Sequence, residues 1–130
     1  MIVLDTSVLV WLTTSQENLS AKALKLIKEE RREKEIYVSS ISLWEIALLV
    51  RKKRLAFNLE FDEWFSKVRQ LSFLKFIDVD VDIAVNSVNL EWSNNDPADR
   101  IIIASAKFLG AQLVTSDKRI LEYEQVQSVW

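Results

Sequence analysis

The sequence predicts an α/β fold: a three-layer sandwich with a short, mostly parallel sheet of four to five strands flanked by helices. Three observations carry this. Short, continuous apolar runs such as Ile2-Val3-Leu4 have the pattern of strands buried on both faces. Longer segments with helical periodicity alternate with those runs along the whole chain. The length of 130 residues, 49% of them hydrophobic, suits one domain, residues 1–130, around one core.

Ile2 to Leu4 is the first strand, and Asp5-Thr6-Ser7, all N-cap formers, lead into a helix through Val8 to Leu12. Ser20 opens the next helix, Ala21 to about Glu35. Its mixed charge run from Lys28 reads as a solvated face. Ile36-Tyr37-Val38 is the second strand. Ser42 and Glu45 then form an S-x-x-E capping box for a helix through Val50, which closes on the basic run Arg51 to Arg54. Phe61, Trp64, Phe65 and Val68 recur at helical spacing between Leu59 and Leu71.

Phe76 to Val79 is expected as the third strand. A helix from Val81 to about Trp92 follows, capped by Asp80 or Asp82, with Ile83, Ala84 and Val88 inward. Asp96 and Pro97 occupy the N-cap and first helical positions of a segment running to Leu109. Gly110, the single glycine, stands just past its end. Asp99, three residues after Asp96, can reach back to the cap N–H. Gln112 to Val114 is the fourth strand, Lys118 to Leu121 a short helix, and Val126 to Trp130 an edge strand.

Composition narrows the chemistry. With no cysteine and no histidine, disulfides, thiolate catalysis, a Ser-His-Asp triad and a zinc site built on Cys or His are excluded. The remaining functional groups are carboxylates, hydroxyls, amides, Lys and Arg, and oxygen-rich sites suit Mg²⁺ or Mn²⁺. No apolar run reaches a membrane span, and the N-terminus lacks a basic leader, so a cytoplasmic protein with no membrane partner is expected. A net charge of −2 argues weakly against a general nucleic-acid binder.

Asp5, Glu45 and Asp117 each follow an apolar strand near a helix start, and Asp99 lies at a helix start too. Each alone is an acceptable cap. Together they predict four acids around the carboxyl edge of the sheet, where ligands bind in such folds. Gathered carboxylates repel one another, and a divalent cation resolves the repulsion. Phosphodiester hydrolysis is the chemistry that such a site supports.

These residues carry a resemblance. Leu4-Asp5-Thr6-Ser7, Ser42-Leu43-Trp44-Glu45-Ile46, Asp96-Pro97-Ala98-Asp99-Arg100 with the following Ile101 to Ala106, and Leu113-Val114-Thr115-Ser116-Asp117 together resemble the PIN domain, most closely VapC-type toxin nucleases of type II toxin–antitoxin pairs. The match spans essentially the whole chain. By that resemblance Asp5, Glu45 and Asp99 are the main acids of a Mg²⁺ or Mn²⁺ site, and Asp117 takes the more variable fourth position. Thr6, Thr115 and Ser116 are supporting hydroxyls. The resemblance implies an endoribonuclease acting on RNA, a homodimer, and a cognate antitoxin lying across a hydrophobic groove. The surfaces expected for that groove are the aromatics around Phe61, Trp64 and Phe65 and the helix near Trp11. Alternatives are a non-catalytic PIN-like module binding RNA or protein, and a PIN nuclease of RNA maturation. A haloacid-dehalogenase-type phosphatase would want a second Asp where Ser7 stands. A response-regulator receiver would want paired acids after the first strand, where Asp5 stands alone.

Overall fold

A computed structural model describes all residues, 1–130. Five parallel strands form one sheet: β1 (Ile2–Leu4), β2 (Ile36–Ser39), β3 (Leu74–Ile77), β4 (Gln112–Val114) and β5 (Ser128–Val129), in the spatial order β3-β2-β1-β4-β5. The register sets Leu4 beside Val38 and Val114. Chain direction across the sheet reverses between β1 and β4. The first crossovers build outward through β2 and β3, and the later ones outward through β4 and β5. The carboxyl ends of β1 and β4 therefore flank the point where an open parallel sheet forms its crevice.

Side chains alternate across the strands. Ile2 and Leu4 pack into one core with Val8 and Leu9 of α1 (Thr6–Thr14), Ile27 of α2 (Ala21–Glu33), Ile46 of α3 (Ser40–Arg51) and Trp64 of α4 (Phe61–Arg69). Val3 faces the other core, with Ile102, Ile103 and Ala106 of α6 (Pro97–Leu109) and Ile120 of α7 (Lys118–Leu121). The result is a sheet between two helical layers. Ile102 and Ile103 are fully buried, and truncating either to Ala would cost about 2–5 kcal/mol.

The start of α6 obeys local chemistry closely. Asp96 accepts from the N–H groups of Ala98 and Asp99, and Pro97 occupies the first helical position. Gly110 ends the helix at φ +63°, where an L side chain is strained.

Three expectations need correction. The third strand is Leu74–Ile77, two residues earlier than Phe76 to Val79, because it pairs with β2 residue for residue from Leu74 opposite Ile36. The helix after it, α5 (Val81–Val88), stops short of Trp92. It turns Ile83 and Ser87 inward, leaving Ala84 and Val88 exposed. The final strand is the short pair Ser128–Val129. No helix is long and apolar enough to cross a membrane.

Candidate active site at the carboxyl edge of the sheet

β1 delivers Asp5 to the crevice between β1 and β4. Its backbone N–H donates to the Val114 carbonyl at 3.0 Å, which continues the ladder by one residue. Its side chain caps α1: Oδ1 accepts from the Thr6 N–H at 2.8 Å, and Oδ2 accepts from the Thr115 hydroxyl at 2.6 Å. Thr115 is fully buried, and its Oγ1 in turn accepts from the Asp117 N–H at 3.1 Å. One hydroxyl thus ties the end of β4 to the end of β1. Capping is part of what Asp5 does, and its second oxygen is fixed by a partner from the far end of the sequence.

Glu45 reaches the same place from α3. The expected capping box does not form, because α3 begins at Ser40 with Ser39 as its cap, so Ser42 and Glu45 lie inside the helix. Both turn toward α1. The Thr6 hydroxyl donates to Glu45 Oε1 at 2.6 Å, and Ser42 Oγ lies 2.9 Å from the same hydroxyl. Thr6 thus joins α1 to Ser42 and Glu45 of α3, the two residues that the sequence placed in a capping box.

Asp99 does not reach back to its own helix cap. The Asp96 N–H donates to Asn94 Oδ1 instead, at 2.9 Å. This leaves the Asp99 carboxylate free to project into the cleft, where it accepts from Asn94 Nδ2 and from Arg119, both at 3.3 Å. Asp117 caps α7 through the Arg119 N–H at 2.9 Å and takes a two-pronged contact from the Arg119 guanidinium, at 3.2 Å and 2.8 Å.

Asp5, Thr6, Ser7, Glu45, Asp99, Ser116 and Asp117 line one cleft of about 450 Å³, closed on its apolar side by Val10, Trp11, Leu49 and Leu55. The four acids predicted from sequence, carried by four separate segments, thus share one wall-to-wall space. Ser116 lines it, and Thr115 lies behind Asp5.

The electrostatics split these acids into two kinds. Burial pushes the Asp99 carboxyl up to about 7, and the charges of Asp96, Asp5, Asp117 and Glu45 push in the same direction. Asp5 is also raised, by burial first, against the lowering effect of its bonds from Thr115 and Thr6. Glu45 is raised by burial, partly offset by Thr6. Asp117 goes the other way, because hydrogen bonding from Arg119 holds its carboxyl below the ordinary value. Three strained acids facing one cleft are what a cation would relieve. The donor set, all oxygen, is one that a hard divalent ion takes. No three of these acids stand close enough to ligate one ion as they are arranged. Mg²⁺, which keeps several waters, needs only one or two direct carboxylates.

Two arginines were missed. Arg119 bridges Asp99 and Asp117, and Arg100 holds the loop ahead of α6. Arg100 stands in the first turn of α6, where the dipole disfavours a cation, and that misfit was the signal available for it. α7 is a single turn, so its dipole marks out no misfit at Arg119.

A parallel α/β sheet with an acidic cleft at its switch point defines a class of proteins that bind ligands at that edge. The chain belongs to the PIN domain family, whose model matches residues 2–126. It is similar to ribonuclease VapC22 of Mycobacterium tuberculosis, with 28% identity over 129 residues, covering 98% of this chain and 95% of that protein. Its fold matches that seen in DNA-bound VapBC from Salmonella typhimurium (TM-score 0.70, 18% identity, 98% of this chain and 96% of that one). VapBC2 from Rickettsia felis, bound to a promoter DNA fragment, is similar at TM-score 0.71 and 21% identity, over 99% of this chain and 98% of that one.

Proposed function

We propose that this chain is a metal-dependent endoribonuclease, with Mg²⁺ or Mn²⁺ as its cofactor, and the toxin of a toxin–antitoxin pair working in the cytoplasm. The observation that carries the reading is the convergence of Asp5, Glu45, Asp99 and Asp117 on one cleft at the switch point of the sheet. Membership of the PIN family and similarity to a VapC ribonuclease support it.

Asp5, Glu45, Asp99 and Asp117 would hold the ion, one or two of them directly and the others through its waters. When bound, the metal supplies charge neutralisation and an activated water for attack on phosphorus. The chain supplies the rest. Thr6 and Thr115 fix Asp5, and Thr6 also fixes Glu45, so these two carboxylates need little reorganisation. Asn94 orients Asp99. As the water oxygen bonds to phosphorus and gives up a proton to solvent, the P–O bond to the leaving oxygen breaks, and that oxygen takes a proton from solvent in exchange.

The antitoxin reading has its own support. Val10, Trp11 and Leu55 belong both to the acid cleft and to an adjoining groove that runs past Phe57 and Leu59 to Trp64. A chain laid along that groove would end over the acids. Of the surfaces expected, Trp11 and Trp64 line this groove, while Phe61 and Phe65 pack on the core and on each other. For the homodimer, Val81, Val85 and Val88 form a bare apolar stripe on α5, each at least 60% exposed, of the kind that a second copy covers.

The test is cleavage of a labelled, loop-containing RNA pool with Mg²⁺ or Mn²⁺, with EDTA, and by Asp99→Asn. The Asn side chain keeps the size and hydrogen bonding of Asp99 but binds metal poorly. We expect cleavage that needs metal and falls at least 100-fold in the variant, with cooperative unfolding retained. Equal inertness of both proteins on every RNA would favour a binding module, and RNA cleavage without growth arrest on expression would favour RNA maturation.

A further inference from the structure

We propose that Arg119 is a displaceable counter-ion: it bridges Asp99 and Asp117 while the acid cleft lacks a metal, and once a divalent cation takes those carboxylates it turns to hold a phosphate of the nucleic-acid substrate. The inference rests on the nuclease reading above and deepens it.

Arg119 makes two contacts to Asp117, at 2.8 Å and 3.2 Å, and one to Asp99 at 3.3 Å. Its side chain is 61% exposed. All three contacts go to carboxylates that a metal would claim, and none goes to a backbone carbonyl. The guanidinium thus has no other tie to keep it in place. A divalent ion brings twice its charge to the same oxygens and must displace it.

There is space to receive it. Arg119 also forms one wall of a second, larger, polar hollow with Trp92, Asn94, Tyr123 and the carboxylates of Glu91, Glu122 and Glu124. Arg119 and Asn94 both line this hollow and both contact Asp99 of the first cleft. A rotated guanidinium therefore stays at the mouth of the acid site. Always charged and forked, it matches phosphate oxygens as well as it matches a carboxylate. It is a positioning residue: it sets the empty site's charge balance and then the substrate's register.

Arg119→Gln should consequently act in opposite directions on two ligands. Calorimetric titration with Mn²⁺ alone should show the variant binding the ion roughly three- to tenfold more tightly, since a competing charge is gone. A short fluorescent oligoribonucleotide with phosphorothioate linkages, checked intact after the measurement, should bind the Mn²⁺-loaded variant more weakly. The slope of log affinity against log salt should be shallower by about 0.7, the value of one phosphate contact on a single strand. Arg119→Lys, which keeps the charge without the fork, should restore the salt slope. Unchanged or weaker Mn²⁺ binding in Arg119→Gln, or an unchanged salt slope, would overturn the role given to Arg119. If the wild-type protein takes up no Mn²⁺ and no oligonucleotide, the nuclease reading falls with it. If it binds both and the variant matches it, the nuclease reading stands and only the role of Arg119 fails.

Discussion

Arg100 and Arg119 stand near the starts of two helices, α6 and α7, and take opposite kinds of partner. Arg100 of α6 spends all its contacts on backbone: Nε donates to the Ser87 carbonyl, Nη1 to Trp92 and Asn94, and Nη2 to Val88 and Leu90, at 2.6–3.1 Å. Those carbonyls belong to the end of α5 and the loop that follows, a stretch with no ladder or helix to satisfy them. Arg119 touches only carboxylates and stands largely in solvent. A guanidinium bound to carbonyls has partners that cannot leave, so it is scaffold. A guanidinium bound to carboxylates has partners that a metal can take, so it is exchangeable. The two meet at Asn94, whose carbonyl Arg100 holds and whose amide contacts Asp99.

The comparison breaks first at Arg100. Arg100→Ala should destabilise the metal-free protein by about 3 kcal/mol or more, since several carbonyls lose a charge-assisted partner at once. Arg100→Lys should recover little, because an ammonium cannot serve five diverging acceptors. Urea unfolding measures both. A variant as stable as wild type would show that water replaces the fork at no cost, and the scaffold role would be lost.

The acid half of the comparison shows in pH. Between the ordinary Asp value of 3.8 and about 7, folded Asp99 keeps a proton that the unfolded chain has released. The folded state binds more protons there, so stability falls as pH rises through that window. Asp5 and Glu45, also raised, add to the same slope. The metal-free protein should melt at a higher temperature near pH 5.5 than near pH 8. Asp99→Asn should flatten the trend, and saturating Mg²⁺, which favours the ionised carboxylates, should reverse it. A melting temperature that climbs steadily from pH 5.5 to 8 without metal would refute the assignment.

Much of this was legible beforehand, for identifiable reasons. Strands β1, β2 and β4 are apolar runs bounded by strong cap formers, and α6 carries its cap, its proline and its glycine in sequence. The acids were legible as a set because each lies just past a strand or at a helix start. The partners were not. Thr6 meets Ser42 and Glu45 across 36 and 39 residues, and Thr115 meets Asp5 across 110, so only the sheet order brings them together. The S-x-x-E pattern at Ser42 misled because Ser39, three residues earlier, is an equally good cap and is the last residue of the strand itself. Strand β3 slipped because its alternation is poor: two of its four residues are exposed.

The smallest effect belongs to Asp96, which lies between the two arginine-held regions and could serve either. It caps α6 through two N–H groups, and its charge is the largest electrostatic push on Asp99 after burial. Asn caps as well as Asp but carries no charge, whereas Ala does neither. Asp96→Ala should therefore cost about 1 kcal/mol at pH 5.5, where charge matters least. Asp96→Asn should cost almost nothing there and should be relatively more stable at pH 8, because ionised Asp99 then has one fewer like charge to face. Thermal melts of the two variants at both values separate the roles. If Asn and Ala are equally destabilising at pH 5.5, the side-chain cap contributes nothing. If Asp96→Asn shows the full wild-type pH trend, the charge on Asp96 does not reach Asp99, and the acid cleft is set by Asp5, Glu45 and Asp117 alone.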